Sequence, residues 1–295
     1  MNTYPSFYFP TKKRLRMHQS MPKKHINNIE LSYHIIGNGP PLVFIAGLGM
    51  DHMSWLYQIP HFQENYTVVL LDNRGMGQST GSDEQYYISM MADDVAALLE
   101  ELQINKAHIL GNSMGGMIAQ EFALRHQTMV DKLILSSTFA KHPEMITYLK
   151  QGLNKLIKNN DSEENEFEAD LFSFKPVHSF LLQQVFGKDF LKFHEKMLTN
   201  TLQRFLTQDT YVETFLKQLH AIYHHDTLHR LPEINAKTFI ITGDEDGLVP
   251  PTCSETLAQH IPHAILHIEP GATHGFHIEH PETFNNKILN FLKRQ

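Results

Sequence analysis

The sequence predicts an α/β fold with a mostly parallel sheet, flanked by helices and interrupted by a helical insertion. In residues 29–136, short apolar runs alternate with glycine-rich turns and helical patterns, which is typical of βαβ units. The same alternation resumes near residue 237, after a long stretch that has helical spacing only. The apolar runs are nearly continuous, as expected for strands that are buried on both faces of a parallel sheet.

The strand and helix candidates follow in order along the chain. Most strand candidates are apolar runs bounded by Gly, Asp or Asn, and the helix candidates carry apolar residues at helical spacing. The strand candidates are residues 30–36, 42–46, 67–71, 107–110, 132–136, 238–242 and 264–268. The helix candidates are residues 87–102, 114–126, 253–260 and 281–292.

Residues 138–236 are predicted to form a separate, all-helical insertion. Only Gly152 and Gly187 of the 16 glycines fall there, and apolar residues recur at helix-like spacings. An acidic stretch at residues 161–170 is interpreted as a solvated helix face or loop. The predicted organisation is a basic N-terminal extension over residues 1–24, a core over residues 25–137 and 237–295, and a helical lid over residues 138–236.

Composition excludes several classes of protein. The net charge of −7 disfavours a nucleic-acid-binding protein, which needs clustered Lys and Arg to neutralise phosphates. The longest apolar runs are too short to span a bilayer, so no stable membrane insertion is expected. The single cysteine, Cys253, excludes an internal disulfide framework and fits a reducing compartment such as the cytoplasm. Composition leaves the oligomeric state open.

The first 24 residues are basic and contain no acidic side chain. A secretory signal needs a continuous apolar stretch after its basic residues, and the polar His18-Gln19-Ser20 interrupts such a stretch. We interpret this segment as a mobile extension without a role in the function, with an organelle-type leader as the alternative.

The strongest chemical signal is the sequence Gly111-Asn112-Ser113-Met114-Gly115, which fits the pattern G-x-S-x-G. An apolar strand precedes it and a helix follows, which is the context of a nucleophile elbow. A serine on such a sharp turn is strained, and small residues two positions away let the chain fold back. Ser113 is therefore the candidate nucleophile.

A serine nucleophile needs a base, and the base needs an acid that orients it. In this architecture the chain order is Ser, acid, His. Gly243-Asp244-Glu245-Asp246 follows one late strand, and Gly271-Ala272-Thr273-His274 follows the next. Side chains at the ends of two adjacent strands can reach the same point, so both loops are candidates for the remaining groups.

The ordered set of motifs resembles the α/β-hydrolases, specifically their lidded branch of esterases, enol-lactonases and carbon–carbon hydrolases. This resemblance covers about nine-tenths of the chain, from Ile29 to Leu292, and implies an eight-stranded, mostly parallel sheet with a lid. The matching segments are Ala46-Gly47-Leu48-Gly49, the turn Asp72-Asn73-Arg74-Gly75-Met76-Gly77-Gln78-Ser79, the elbow, the loop Gly243-x-x-Asp246, and the late His274 before Pro281-Glu282.

The resemblance assigns roles to these residues. Ser113 would be the nucleophile, His274 the general base and acid, and Asp246 the acid that orients His274. Asp244 is the alternative acid, and His277 and His280 are alternatives to His274, although His280 is expected to start the last helix. The backbone N–H groups of Leu48 and Met114 would form the oxyanion hole.

Two differences from other proteins of this fold narrow the chemistry that the resemblance implies. Relatives usually have His-Gly where this chain has Ala46-Gly47, which weakens the assignment to carbon–carbon hydrolases. Epoxide hydrolases and haloalkane dehalogenases on this fold carry an aspartate at the elbow, whereas this chain carries Ser113. The expected chemistry is therefore acyl transfer through an acyl-enzyme.

No cofactor and no metal ion are expected. The Asp72–Ser79 turn resembles a nucleotide-binding loop only loosely, and we interpret it as structural, with Arg74 tying loops together. The i,i+4 pairs His220/His224 and His225/His229 suit a metal site by spacing, but they point to different faces of a helix. We interpret them as a histidine-rich helix end.

The sequence thus predicts a serine hydrolase acting on a small carboxylic ester, lactone or related acyl substrate with an apolar part. Its rate should fall below about pH 6–7, because His274 must be neutral to act as a base. Three alternatives remain open. They are a carbon–carbon hydrolase, an iminopeptidase-type peptidase that holds an amine with the acidic stretch of the lid, and a ligand receptor with negligible turnover.

Overall fold

The computed structural model describes residues 20–142, 182–207 and 210–294 and contains one sheet of eight strands. The strand order is β1-β2-β4-β3-β5-β6-β7-β8. Strands β3 to β8 run parallel, whereas β1 and β2 pair antiparallel at one edge. The strands are β1 Lys23–Ile26, β2 Ile29–Gly37, β3 Pro41–Ile45, β4 Thr67–Leu71, β5 Ala107–Asn112, β6 Val130–Ser136, β7 Lys237–Gly243 and β8 Ile265–Glu269.

The helices agree with the sequence prediction where both define one. A short 3₁₀ helix, His52–Trp55, precedes the first α-helix, and two further 3₁₀ helices are Gln127–Met129 and Leu228–Glu233. The described α-helices are α1 Ile59–Phe62, α2 Ile88–Glu101, α3 Met114–Arg125, α4 Lys188–Leu206, α5 Tyr211–Tyr223, α6 Pro251–His260, α7 Phe276–Glu279 and α8 Pro281–Leu292.

The central strands of the sheet, β3 to β7, are largely buried on both faces, which explains their nearly continuous apolar sequences. In β3, Leu42 and Phe44 join a cluster with Trp55 on one face. The alternate residues Val43 and Ile45 join a second cluster, which includes buried residues of α2 and α3, on the other face. Successive side chains of a strand point to opposite faces, so a strand covered on both sides needs apolar residues throughout. The predicted α/β fold is confirmed.

The sequence analysis did not predict β1. Its residues, Lys-Lys-His-Ile, lack the apolar pattern of a strand, and Lys23 and Lys24 fall in the segment predicted as an extension. The strand pairs with β2 through a tight turn at Asn27 and Asn28, whose φ values are 45° and 64°. Such positive values are typical of type I′ hairpin turns, in which asparagine is favoured. This asparagine pair is the signal that would have predicted the hairpin.

The predicted insertion, 138–236, is described in part. Its described portion contains α4 and α5, but residues 143–181, with the acidic stretch at 161–170, lie outside the described residues. The two ends of the insertion are joined, since the Thr227 N–H donates to the Ala140 carbonyl at 2.8 Å and Lys141 pairs with Asp226 at 2.9 Å. Among the described helices, none combines the length and the hydropathy needed to cross a membrane.

Candidate functional site

Ser113 sits at the sharp turn between β5 and α3. Its φ and ψ are 56° and −120°, a conformation that few non-glycine residues adopt. The chain folds back tightly there, because a Cβ atom on Gly115 would lie 2.1 Å from the Ile45 carbonyl oxygen. A Cβ on Gly111 would meet the Gly115 carbonyl at 2.0 Å. The two glycines are thus required by close backbone approach, as the sequence motif predicts.

Backbone contacts hold the strained residue in place. The Ser113 N–H donates to the Ser136 carbonyl on the neighbouring strand at 2.9 Å. The Thr138 hydroxyl donates to the Ser113 carbonyl oxygen at 2.8 Å. Because both backbone polar groups are bound, the turn is over-determined by its surroundings, which is how strained conformations persist.

Asp246 and His274 form a buried pair at the ends of β7 and β8. Both carboxylate oxygens lie near His274 Nδ1, at 2.9 Å for Oδ2 and 3.1 Å for Oδ1. The carboxylate also accepts the backbone N–H groups of Leu248 at 3.0 Å and Val249 at 2.7 Å. A carboxylate only accepts, so His274 Nδ1 carries a proton, and in the neutral ring the lone pair is therefore on Nε2.

Asp244, the alternative acid, is placed differently. Its Oδ1 accepts the Gly271 N–H at 2.6 Å, so it ties together the two loops that follow β7 and β8. Within the described residues, no hydrogen bond joins Asp244 to His274. The structure therefore brings Asp246, and not Asp244, to the imidazole.

The loop after β3 lies against Ser113. A Cβ on Gly47 would come within 3.3 Å of the Ser113 Cβ and 3.9 Å of its Oγ. The Asn73 amide donates to the Ala46 carbonyl at 3.0 Å and holds the start of this loop. In the described part of the chain, the N–H groups of Leu48 and Met114 donate to no protein acceptor. Two backbone donors beside Ser113 are thus available to a ligand.

Residues on α5 contact the same loop, and the sequence analysis did not single them out. Gln218 accepts the Gly49 N–H at 3.0 Å, and the Tyr211 hydroxyl donates to the Gly49 carbonyl at 3.3 Å. These pairs are separated by more than 160 residues in sequence. No local pattern signals such a contact, because only the tertiary fold brings α5 to the loop.

A cavity of about 790 Å³ opens over Ser113 and His274. This volume lies within the usual range of about 300–1,000 Å³ for small-molecule sites. Its apolar wall comes from the core and from the described part of the predicted insertion, and it includes Leu48, Val185, Phe186, Met197, Phe215 and Ile278. The cavity can therefore receive a ligand with an apolar portion next to Ser113.

The two other candidate histidines are not paired with Asp246. His277 is buried against the Trp55 ring, with ring centroids 5.2 Å apart. Burial, and secondarily the neighbouring His274, lowers the pKa of His277 to about 3, so its ring is neutral. His280 is exposed and lies at the N-cap of α8, which confirms the expectation that it starts the last helix.

The Asp72–Ser79 turn is held by its own polar side chains. Asp72 accepts the His52 N–H at 2.9 Å, the His52 ring at 2.7 Å and the Gln78 N–H at 2.9 Å. Arg74 reaches out of the turn and binds Asp94 on α2 with two hydrogen bonds of 2.7 Å. This arrangement agrees with the structural interpretation of the turn. Arg74, predicted to tie loops together, binds the helix α2 and also donates to the Ser82 hydroxyl of the following loop at 3.2 Å.

The histidines near the end of α5 lie in different surroundings. The rings of His220 and His224 lie 4.2 Å apart, whereas His225 is buried near Thr227. Burial is the main reason that the pKa of His225 falls to about 3. Over residues 20–142, 182–207 and 210–294, no group of three or more His, Cys, Asp or Glu side chains is arranged to hold a metal ion.

Known proteins share both the sequence and the fold. A family model described as the alpha/beta hydrolase fold matches residues 40–281. The chain is 26% identical over 266 residues to "Putative carbamate hydrolase RutD" of a Caulobacter species, covering 88% of this chain and 95% of that protein. It is 30% identical over 298 residues to the 2-hydroxy-6-oxononadienedioate/2-hydroxy-6-oxononatrienedioate hydrolase of Burkholderia vietnamiensis, covering 94% of this chain and 97% of that protein.

A solved structure extends the comparison to three dimensions. The enol-lactonase from Burkholderia xenovorans superposes with a TM-score of 0.80 at 25% identity, covering 92% of this chain and 100% of that one. The family model spans most of the sequence, and the solved structure superposes on 92% of the chain. The chain therefore belongs to the α/β-hydrolase fold family and is an enzyme of that family.

Proposed function

We propose that the protein is a serine hydrolase that cleaves a carboxylic ester, lactone or related acyl substrate. One observation carries the proposal: Ser113 on its strained turn and the Asp246-paired His274 line the same cavity. A nucleophile, a base and an orienting acid at one site are the parts that acyl transfer through a serine requires.

In the first half of the proposed reaction, Ser113 Oγ attacks the carbonyl carbon of the substrate. His274 Nε2 takes the hydroxyl proton, while Asp246 holds Nδ1–H and stabilises the imidazolium. The carbonyl oxygen becomes an oxyanion that accepts hydrogen bonds from the N–H groups of Leu48 and Met114. The bond to the leaving group then breaks, and His274 returns its proton to the departing oxygen.

In the second half, water attacks the acyl-enzyme. His274 takes a proton from the water, the second tetrahedral oxyanion occupies the same two N–H groups, and its collapse releases the carboxylic acid. Ser113 Oγ recovers its proton from His274. Each donor of an oxyanion hole typically lowers the barrier by about 3–4 kcal/mol, so the loop that carries Leu48 contributes directly to the rate.

The cavity supports a substrate with an apolar acyl or alcohol portion. Its wall is mainly aliphatic and aromatic near Ser113, and the volume suits a small or medium molecule. Lactones are included because the enol-lactonase structure aligns over its whole length with 92% of this chain. We place the enzyme in the cytoplasm, on the ground that its single cysteine fits a reducing compartment.

Two other classes of substrate bond remain candidates for cleavage by the same residues. The similarity to a protein named for carbamate hydrolysis favours carbamates as a second class of acyl substrate. The relative at 30% identity is named for an oxo-dienedioate, which keeps the carbon–carbon alternative open. The iminopeptidase alternative depends on residues 161–170, which lie outside the described residues.

The test compares wild type with Ser113→Ala on p-nitrophenyl esters of increasing acyl length. A fluorophosphonate probe provides an independent readout of a reactive serine. We expect the variant to lose both turnover and labelling, and Ser254→Ala, which removes a buried hydroxyl without a described partner, to retain both. Turnover that survives in Ser113→Ala would contradict the proposal.

A product assay then separates the bonds. A carboxylic acid plus a separate alcohol identifies an ester substrate, and a single ring-opened hydroxy acid or oxo acid identifies a lactone. A carboxylic acid plus a dienoic acid identifies carbon–carbon cleavage. A wild-type protein that is labelled by the probe but turns over no ester, lactone, carbamate or diketone favours the receptor alternative.

A further inference from the structure

Gly49 is bound at both of its backbone polar groups by one helix of the predicted insertion. The Gly49 N–H donates to Gln218 Oε1 at 3.0 Å, and the Gly49 carbonyl accepts from the Tyr211 hydroxyl at 3.3 Å. Both side chains belong to α5 and are at most 1% exposed. Gly49 directly follows Leu48, whose N–H is one of the two donors beside Ser113.

The packing around Gly49 is as close as the hydrogen bonds. Its φ is +67°, and a Cβ there would lie 2.8 Å from both the Phe215 ring and the Tyr211 hydroxyl. Helix α5 is therefore pressed directly onto the backbone of the loop. A side chain at position 49 would be strained and would also push the helix away.

The loop is held at its other end by the core. The Asn73 amide donates to the Ala46 carbonyl, and the Met50 N–H closes a turn onto the Gly47 carbonyl at 3.2 Å. Leu48 thus lies between one anchor from the core and one from α5. A peptide that is fixed on both sides can keep its N–H aimed at a developing charge without reorganisation, which is the condition for a strong oxyanion hole.

We propose that Gln218 and Tyr211 are positioning residues, which fix the Leu48 N–H of the oxyanion hole by binding Gly49. This inference rests on the proposed function, because it assigns a purpose to the loop only if Ser113 forms a tetrahedral oxyanion. Helix α5 is then part of the catalytic frame, and not only a cover over the cavity.

Gln218 is a suitable position for a test, because its side-chain amide nitrogen has no described hydrogen bond. Its Nε2 is buried and has no hydrogen-bond partner within the described residues, so the Gly49 N–H supplies the one described hydrogen bond of the side chain. Gln218→Met keeps the length and volume and removes that bond. Tyr211→Phe removes the hydroxyl that binds the Gly49 carbonyl and keeps the ring.

The matched control is the residue directly before Gln218 on the same helix. Lys217 binds the Ser82 carbonyl at 2.8 Å and Glu213 at 2.6 Å, and neither contact involves the loop. Lys217→Met weakens the attachment of α5 to the core without touching Gly49. Comparing it with Gln218→Met separates a general loosening of the helix from the loss of the Gly49 contact.

We expect Gln218→Met to lower kcat about 10-fold, less than the roughly 10²–10³-fold for complete loss of an oxyanion donor, with KM within about 3-fold. A trifluoromethyl ketone, which adds to Ser113 as an oxyanion adduct, should bind about 10-fold more weakly. The carboxylate product, which forms no adduct, should bind equally well. Lys217→Met should change none of these values by more than about 2-fold.

Equal kcat values in Gln218→Met and Lys217→Met would overturn the inference. So would a parallel loss of affinity for the ketone and for the product, because that pattern marks a general change of the cavity. If Gln218→Met fails to fold, as judged by its thermal unfolding, the same pattern of constants in Tyr211→Phe decides. Turnover that persists in Ser113→Ala overturns the proposed function itself and is measured separately.

Discussion

Both carboxylate oxygens of Asp246 lie within hydrogen-bond distance of His274 Nδ1, at 2.9 and 3.1 Å. Two backbone N–H groups fix the carboxylate from behind, at 3.0 and 2.7 Å. If Asp246 selects the tautomer of His274, then Asp246→Asn offers an amide that can donate to Nδ1 and stabilise the wrong tautomer. We expect kcat on the best ester to fall about 10³–10⁴-fold, with KM changed little.

The control for this prediction is Asp244→Asn. Asp244 holds the Gly271 N–H and has no described contact with His274, so its variant should keep kcat within about 3-fold. Steady-state kinetics of the two variants decide between the two acids of the Gly243-x-x-Asp246 loop. A larger loss in Asp244→Asn than in Asp246→Asn would reverse the assignment.

Gly115 is required by the backbone of β3. A Cβ there would lie 2.1 Å from the Ile45 carbonyl oxygen, and backbone cannot rotate away as a side chain can. Gly115→Ala should therefore lower the free energy of unfolding by about 3 kcal/mol or more. Urea unfolding measures the change, and Gly187→Ala, whose added Cβ would meet nothing closer than 3.4 Å, should be close to neutral. A neutral Gly115→Ala would show that α3 can shift away from β3.

The fold was predictable because its central strands are largely buried on both faces. The continuous apolar runs in β3 to β5 and the G-x-S-x-G motif gave both the sheet and the place of Ser113. Strand β1 escaped prediction because Lys23-Lys24-His25 carries no apolar pattern, and its pairing depends on the turn at Asn27 and Asn28. Local pattern thus predicts buried elements well and exposed edge strands poorly.

The part of the candidate site at the strand ends was predictable from the sequence, whereas the part contributed by α5 was not. Ser113, Asp246 and His274 each follow a strand at the same edge of the sheet, so their order in sequence implied their proximity. Gln218 and Tyr211 touch the site from a helix whose approach depends on tertiary packing. Helical spacing indicates that α5 exists, but it contains no information on which loop the helix covers.

Arg74 and Asp94 form a buried ion pair with two hydrogen bonds of 2.7 Å, and both side chains are at most 2% exposed. Removing one partner leaves an uncompensated buried charge, which typically costs about 3–5 kcal/mol. We therefore expect Arg74→Met to lower the free energy of unfolding by about that amount, measured by urea unfolding.

The chain offers a matched pair on its surface. Arg125 binds the adjacent aspartate, Asp93, with two hydrogen bonds of 3.0 and 2.7 Å, but the two side chains are 41% and 36% exposed. Solvent screens this pair, so Arg125→Met should cost less than about 1 kcal/mol. Similar losses in the two variants would mean that burial does not decide the strength of these pairs.

His225 makes the stability of the fold depend on pH. Its pKa is lowered to about 3 by burial, so the folded protein keeps it neutral at pH values where the unfolded chain, with a histidine pKa of about 6.5, takes up a proton. The unfolded state then binds more protons than the folded state. The contribution of His225 to the free energy of unfolding is therefore fully present above about pH 6.5 and is lost progressively as the pH falls toward 3.

His225→Gln removes this titration. Between pH 6 and pH 4, we expect the wild-type free energy of unfolding to fall more steeply than that of the variant, by roughly 1 kcal/mol per pH unit. His263→Asn is the control, because His263 is exposed and asparagine tolerates its positive φ of 58°. Its slope with pH should match that of the wild type. An unchanged slope in His225→Gln would contradict this prediction. It would mean that other groups take up the protons on unfolding, and that burial near Thr227 and Phe139 does not keep His225 neutral.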